Sequence, residues 1–171
     1  MAIKITSKDH IQGKEDASVV LIEYGDYQCP YCGKAFYSVK EAQKELGDNL
    51  KFIFRNFPLT EIHEHALHAA ISAETASDQG KFWEMHDILF QNQNDLDDDS
   101  LIKYAEKIGL NTSKFEDDFT KNEHFQKVKE DYDSGIENGV QGTPAFFING
   151  KLFEGNWSDS EFIEYLKKLV K

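Results

Sequence analysis

A short apolar stretch near the start of the chain does most to limit its fold. Residues 19–24 read Val-Val-Leu-Ile-Glu-Tyr and are followed by Gly25. A nearly continuous run of β-branched and apolar residues that ends at a turn residue is typical of a strand buried on both faces. The sequence therefore predicts a central strand of an α/β sheet over these residues.

A helix and a second strand follow this strand. Pro30 suits the first turn of a helix, where a backbone N–H has no partner in any case. Apolar side chains then recur at helical spacing until Gly47, at Phe36, Val39, Ala42 and Leu46. Residues 50–57 are aromatic, partly alternating and followed by Pro58, which predicts a second strand. Together these segments predict a β-α-β unit with parallel strands and a right-handed connection.

The rest of the chain contains a long helical stretch and a hairpin. Residues 61–139 carry apolar side chains at helical spacing and are divided by glycine-rich and polar turns into four or five predicted helices. Residues 145–148 and 151–155 flank the turn Asn149-Gly150, which is a strong hairpin signal. A last helix is predicted over residues 159–170.

The order of these elements is that of a thioredoxin-like fold. A β-α-β unit comes first, an all-helical stretch follows, and a β-β-α unit completes the fold. The sequence predicts a discontinuous thioredoxin-like domain from residues 1–60 and 140–171. Residues 61–139 are predicted to form an inserted helical domain.

Composition excludes several classes of function. The 171 residues include 31 acidic and 19 basic side chains, for a formal charge of −12. Such a surface repels nucleic-acid phosphates and anionic lipids, so neither is an expected partner. No apolar run approaches the roughly 18 residues of a membrane span, and no apolar leader is visible. The sequence as given predicts a cytoplasmic protein, or a periplasmic or other extracytoplasmic one if a leader has been removed.

Two cysteines stand three positions apart at the predicted junction of strand and helix. A disulfide between Cys29 and Cys32 would close a very small loop and constrain the unfolded chain little, which favours a chemical purpose over a structural one. Cys29 lies where a helix N-terminus favours an anion, so we expect a lowered pKa. Cys32 lies one turn inside the helix and is predicted to be a buried resolving thiol. Such a couple needs no further cofactor.

A half zinc site is the main alternative for this pair. Zinc would need two more ligands, and without further cysteines these would have to come from acidic residues or from His63, His65 and His68. The helix start after Cys29 favours redox chemistry, and we expect no metal. Histidines at the start of a helix are more typical of an exposed surface.

Glu23 is a candidate for moving the proton of Cys32. It precedes Cys29 by six residues and shares a strand face with Val19 and Leu21. Burial there would raise its pKa and allow it to exchange a proton with the resolving thiol. The alternative is an edge carboxylate that reaches solvent, since glutamate is rarely fully buried.

Two motifs together resemble a known family. Glu-x5-Cys-Pro-Tyr-Cys, beginning at Glu23, and Val-Gln-Gly-Thr-Pro-Ala-Phe-Phe-Ile-Asn-Gly over residues 140–150 are similar to the DsbA-type branch of the thioredoxin superfamily. The resemblance implies a thiol–disulfide oxidoreductase with Cys29 as the exposed nucleophile and Cys32 as the resolving residue. It also implies a cis peptide between Thr143 and Pro144 facing the sulfurs, with the Thr143 backbone pairing to an extended substrate.

The residues between the cysteines, Pro30 and Tyr31, are expected to tune the couple and to contact substrate. The expected partners are protein or peptide thiols and disulfides, and a redox protein that recycles the pair. Tyr31 stands where the secreted, strongly oxidising members commonly have histidine, which leaves the direction of exchange open. Two further hypotheses remain: a glutathione-linked enzyme of glutaredoxin or kappa-transferase type, and a chaperone-like binding module without turnover.

Overall fold

A mixed five-stranded sheet organises the molecule. The computed structural model describes residues 3–171. The strands are β1 (His10–Gln12), β2 (Val19–Gly25), β3 (Leu50–Asn56), β4 (Ala145–Ile148) and β5 (Lys151–Leu152). The helices are α1 (Pro30–Leu46), α2 (Ala66–Ser77), α3 (Phe82–Gln91), α4 (Asp98–Lys107), α5 (Thr112–Thr120), α6 (Phe125–Glu137) and α7 (Ser160–Lys168).

The strand order is β1-β3-β2-β4-β5, which places β2 at the centre as predicted. It pairs in parallel with β3, with Leu21 opposite Phe52, and antiparallel with β4, with Leu21 opposite Ile148. The antiparallel edge strand β1 was not predicted, because three residues of mixed polarity carry no strand pattern of their own. It forms by pairing with β3, a tertiary contact.

Both faces of the sheet are covered. Val19 and Leu21 pack into a large core with α1 and the other helices, whereas Ile22 and Tyr24 pack into a second cluster that Tyr132 of α6 adjoins. Successive strand residues point to opposite faces, so burial on both faces explains the continuous apolar run of β2. The predicted α/β architecture, with a β-α-β unit, a helical stretch and a β-β-α unit, is present.

Helix α1 begins and ends where the sequence predicted. Pro30 occupies its first turn, and Gly47 ends it with φ at 51°. That value lies in the left-handed region, which glycine enters without a Cβ penalty. The helix N-terminus is consequently fixed at the cysteine pair.

Five helices, α2 to α6, occupy the stretch between β3 and β4. Side chains such as Leu89, Leu101 and Phe115 join the same apolar cluster as α1 and the sheet. The division of the chain into a thioredoxin-like domain and a separate helical domain stays a prediction. Strand β5 is shorter than the predicted segment 151–155, and α7 starts after Asp159, whose side chain accepts a hydrogen bond from Glu161 N.

Candidate active site

The cysteine pair lies at the C-terminal end of the central strand. Cys29 is the N-cap residue of α1, with φ of −69° and ψ of 122°, and Cys32 lies in the first turn. Gly33 N donates to the Cys29 carbonyl oxygen at 3.0 Å, the first hydrogen bond of the helix. The Cys29 sulfur therefore lies at a helix start, where the first backbone N–H groups have no partner within the helix and favour an anion.

The pKa of Cys29 is lowered from its ordinary value of 9.0 to about 5. The largest cause is a hydrogen bond from the Cys32 thiol; burial opposes it, and Thr143 and the backbone N–H groups of Cys32 and Tyr31 lower the pKa further. Each of these donors favours the thiolate over the thiol. The lowering predicted from the helix start is present, but the neighbouring thiol contributes more than the helix does.

The expected exposure of Cys29 is wrong as a description of this structure, because only 4% of the residue is accessible. Its sulfur lies 3.6 Å from the carbonyl oxygen of Thr143, and Gln93 covers the backbone on the other side. The accessible edge beside it belongs to Pro30, which is exposed, and to Tyr31, which is 62% exposed. The sulfur is therefore covered in this structure, whereas the two residues that follow it are exposed.

Cys32 has the opposite environment. It is fully buried, and burial raises its pKa well above the ordinary value of 9.0. The backbone N–H of Asp26 donates to its sulfur at 3.4 Å. A buried thiol of this kind stays protonated at neutral pH, which suits a group that reacts second.

Glu23 is buried beside the pair and does not reach solvent. Only 1% of the residue is accessible, and burial, with a smaller contribution from the charge of Cys29, raises its pKa from 4.5 to about 8. Its Oε1 atom is buried without a hydrogen-bond partner among residues 3–171. The interpretation of Glu23 as an edge carboxylate is wrong, because β2 is central and covered on both faces.

The Thr143–Pro144 peptide bond is cis and faces the cysteines. It precedes β4, which pairs with the strand that leads to Cys29. The pairing of β2 with β4 therefore brings two segments more than a hundred residues apart in sequence to the same end of the sheet.

The sequence did not single out Asp26, His63 or Gln93 as neighbours of the cysteine pair. Asp26 follows β2 directly and is 1% exposed, with His63 Nδ1 at 2.8 Å from its Oδ2 atom. Gln93, in the loop after α3, donates to the Cys29 carbonyl. The sequence hint for Asp26 was its place as a polar residue between a buried strand and the Cys-Pro-Tyr-Cys motif.

The histidines considered as zinc ligands lie in different surroundings. His63 contacts Asp26, whereas His68 pairs with Asp98, so these histidines do not converge. Among residues 3–171, no group of three or more histidine, cysteine or acidic side chains is arranged to hold a metal ion.

Comparison with known protein families shows to which family the chain belongs. A family model described as thioredoxin matches residues 6–168. The chain belongs to the thioredoxin family. The match covers both cysteines and the Thr143–Pro144 loop.

Solved structures, a DsbA protein among them, share the fold of this chain. Oxidised BdbD from Bacillus subtilis is 26% identical, with 95% of this chain and 92% of BdbD covered at a TM-score of 0.84. The thiol–disulfide exchange protein alpha-DsbA2 from Wolbachia pipientis shares the fold at 22% identity, with 95% and 88% covered and a TM-score of 0.82. The predicted thioredoxin-like fold and the predicted resemblance to DsbA-type proteins are confirmed.

Curated relatives of this thioredoxin-family chain carry a different name. The Na(+)/H(+) antiporter NhaA 1 of Salinispora arenicola is 39% identical over 151 residues, which are 88% of this chain and 23% of the antiporter. The corresponding antiporter of Mycobacterium sp. (strain KMS) is 38% identical over 162 residues, 94% of this chain and 26% of its own length. The chain thus spans about a quarter of these relatives. Within residues 3–171, no helix has the length and apolar character needed to cross a membrane.

Proposed function

We propose that the chain exchanges disulfides with protein substrates, with Cys29 as the attacking sulfur and Cys32 as the resolving sulfur. One observation carries the proposal: the pKa of Cys29 is lowered to about 5 while burial raises that of its neighbour Cys32. The first sulfur is consequently a thiolate at neutral pH and a good leaving group, whereas the second is held as a thiol. The pKa values of two inert buried thiols would not be shifted in opposite directions in this way.

In the donating direction, the reaction starts from the Cys29–Cys32 disulfide. A substrate thiolate attacks the Cys29 sulfur, the intramolecular S–S bond breaks, and its electron pair leaves on Cys32, which takes up a proton. A second substrate thiolate then attacks the substrate sulfur of the mixed disulfide, and Cys29 leaves as a thiolate. The substrate loses two electrons and the cysteine pair gains them, so the pair itself is the redox centre and a partner must reoxidise it.

Glu23 supplies or receives the Cys32 proton in this proposal. A carboxyl group with a pKa of about 8 is mostly protonated at neutral pH, so it can donate a proton when Cys32 leaves. The charges of Glu23 and Cys32 interact, which is consistent with a shared proton.

Replacing Glu23 with glutamine is expected to slow the Cys32-dependent step by about tenfold or more at pH 7, because glutamine cannot transfer the proton. The wild-type rate should change near pH 8, and the variant should lose that change. Stopped-flow measurement of mixed-disulfide formation, from the oxidised protein and a single-cysteine peptide, checks this, with the exposed residue Glu15 changed to glutamine as the control. A Glu23→Gln protein with the wild-type rate and pH profile would rule out the role.

The substrate is proposed to bind along the exposed edge of the site. Pro30 and Tyr31 border it on one side, and the backbone of Thr143 before Pro144 borders it on the other. An extended peptide could hydrogen-bond to the Thr143 backbone by strand addition, which would place a substrate sulfur against Cys29.

The low pKa of Cys29 also supports a direction. It stabilises the dithiol form at neutral pH, so the disulfide is an oxidant. Thioredoxin, with a cysteine pKa of about 7, has a potential near −270 mV, and DsbA, with a pKa of about 3.5, has one near −120 mV. Donated disulfides persist in oxidising compartments, so we propose an extracytoplasmic location for the reaction.

The reduction potential of the Cys29–Cys32 couple tests this direction. We expect a value between about −270 and about −120 mV, measured by equilibration in glutathione buffers and alkylation of free thiols. The oxidised protein should also convert a reduced two-cysteine peptide to its disulfide. A potential at or below that of thioredoxin would contradict the donating direction, and a protein that exchanges with no peptide would contradict the function.

A further inference from the structure

The backbone of Cys29 is held by side chains on both sides. Asp26 Oδ1 accepts a hydrogen bond from Cys29 N at 3.2 Å, in addition to the bond that this N–H makes with the Asp26 carbonyl at 3.1 Å. On the other side, Gln93 Nε2 donates to the Cys29 carbonyl oxygen at 2.8 Å and to that of Tyr27 at 2.9 Å. Both polar groups of the nucleophile's own backbone therefore contact a side chain from outside α1.

Asp26 is itself anchored in the interior. Its Oδ1 atom also accepts from Gln28 N at 2.7 Å, and its Oδ2 atom accepts from Leu59 N at 2.8 Å and lies 2.8 Å from His63 Nδ1. A buried carboxylate with four partners has no other low-energy position, because each lost partner would leave a buried polar group unsatisfied. The loop after β3 thus holds Asp26, and Asp26 holds the loop before Cys29.

Gln93 reaches Cys29 through a space that a glycine leaves open. A Cβ atom on Gly33 would lie 2.0 Å from Gln93 Oε1, so no other residue fits at position 33 without moving the amide. Gln93 lies between α3 and α4, in the helical part of the chain. This part of the molecule therefore contributes a direct contact to the cysteine pair.

We propose that Asp26 and Gln93 are positioning residues, which act through the Cys29 backbone to set where its sulfur points. The dihedral angles of an N-cap residue decide whether its side chain faces the first N–H groups of the helix. Holding the N–H and the carbonyl of Cys29 restricts those angles and keeps the sulfur beside the Tyr31 and Cys32 N–H groups and Thr143. The consequence for exchange rests on the proposed function, but the position of the sulfur can be measured without it.

The test compares the reactivity of Cys29 in three variants. Asp26→Ala removes the contact and the charge, Asp26→Asn keeps an oxygen for Cys29 N and removes the charge, and Gln93→Met keeps the length and removes the donor. The readout is the rate of alkylation of the reduced protein by iodoacetamide from pH 3 to pH 9, about the range in which this thiol ionises. Exposed residues on the same elements or nearby supply the controls Gln91→Met and Asp16→Ala.

Asp26→Ala and Gln93→Met are expected to move the midpoint of the alkylation profile upward by about one pH unit, because the sulfur loses donors to its thiolate. Peptide exchange at pH 7 should slow by only about threefold, because the thiol stays mostly ionised and becomes a poorer leaving group. Loss of a negative charge alone would move the midpoint downward, so an upward shift identifies positioning. Asp26→Asn should leave the midpoint at or below that of the wild type. The other titratable groups that interact with Cys29, Cys32 and Glu23, are unchanged in all variants.

The proposal fails if the midpoint does not rise in Gln93→Met and Asp26→Ala, whether or not exchange slows. If Asp26→Ala does not fold by circular dichroism, Gln93→Met decides the result, since it retains the volume of the side chain. If the variants show the expected alkylation shifts but the wild-type protein exchanges no disulfide, the positioning proposal would stand and the proposed function would fall.

Discussion

Replacing Cys29 with serine is expected to lower disulfide exchange by at least about a thousandfold, because a hydroxyl is not ionised at neutral pH and cannot form the mixed disulfide. Every step of the proposed reaction passes through this sulfur. The measurement is the rate at which the oxidised protein converts a reduced two-cysteine peptide to its disulfide, followed by separation of the peptide forms. Replacing Cys32 with serine should also stop turnover, because the variant cannot form the Cys29–Cys32 disulfide that is donated.

The two substitutions differ in the product that they trap. The Cys32→Ser protein keeps the reactive thiolate, so incubation with a disulfide-containing peptide should yield a stable mixed disulfide, visible by mass spectrometry. The Cys29→Ser protein should yield none, because Cys32 is fully buried. Trapping by Cys32 alone, or near-normal turnover without Cys29, would reverse the proposed roles.

The reduced protein is expected to be more stable than the oxidised protein at neutral pH. Folding lowers the pKa of Cys29 from its ordinary value of 9.0 to about 5, and this contribution exists only when the sulfur is free to ionise. A group with a lowered pKa in the folded state stabilises it fully above the unfolded pKa, and the effect is lost as the pH falls through the folded pKa. The stability gap should therefore be largest near pH 9 and disappear near pH 5.

Urea unfolding of both redox forms across this pH range measures the gap. Each unit of pKa change corresponds to about 1.4 kcal/mol, so the difference at neutral pH should exceed the error of extrapolation. Glu23, whose pKa is raised from 4.5 to about 8, has the opposite sign: its contribution is full below the lower value and lost as the pH rises through the upper one. It is present in both forms and largely cancels in the difference. An oxidised protein that is the more stable form, or a gap that is constant over this range, would contradict the role of Cys29.

The sequence allowed the prediction of elements whose cause is local. The apolar run of β2, Pro30 in the first turn of α1, Gly47 at its end and the Asn149-Gly150 turn each depend on residues within a few positions of one another. Their order along the chain indicated the thioredoxin-like fold, and the spacing of Cys29 and Cys32 placed the redox pair at a helix N-terminus. Neighbours in sequence remain neighbours in space, so such features can be read directly.

Only the tertiary structure decided which distant groups surround the pair. Gln93 lies 64 positions after Cys29, and His63 lies 37 positions after Asp26, and no local pattern predicts that they meet. The small accessible area of Cys29, the complete burial of Glu23 and the edge strand β1 also follow from packing between segments that are far apart along the chain. The sequence by itself determined the fold class and the reactive pair, because these depend on periodicity and spacing. The reactivity of the pair depends on burial and on hydrogen bonds across the chain, which exist only once the sheet and helices have packed together.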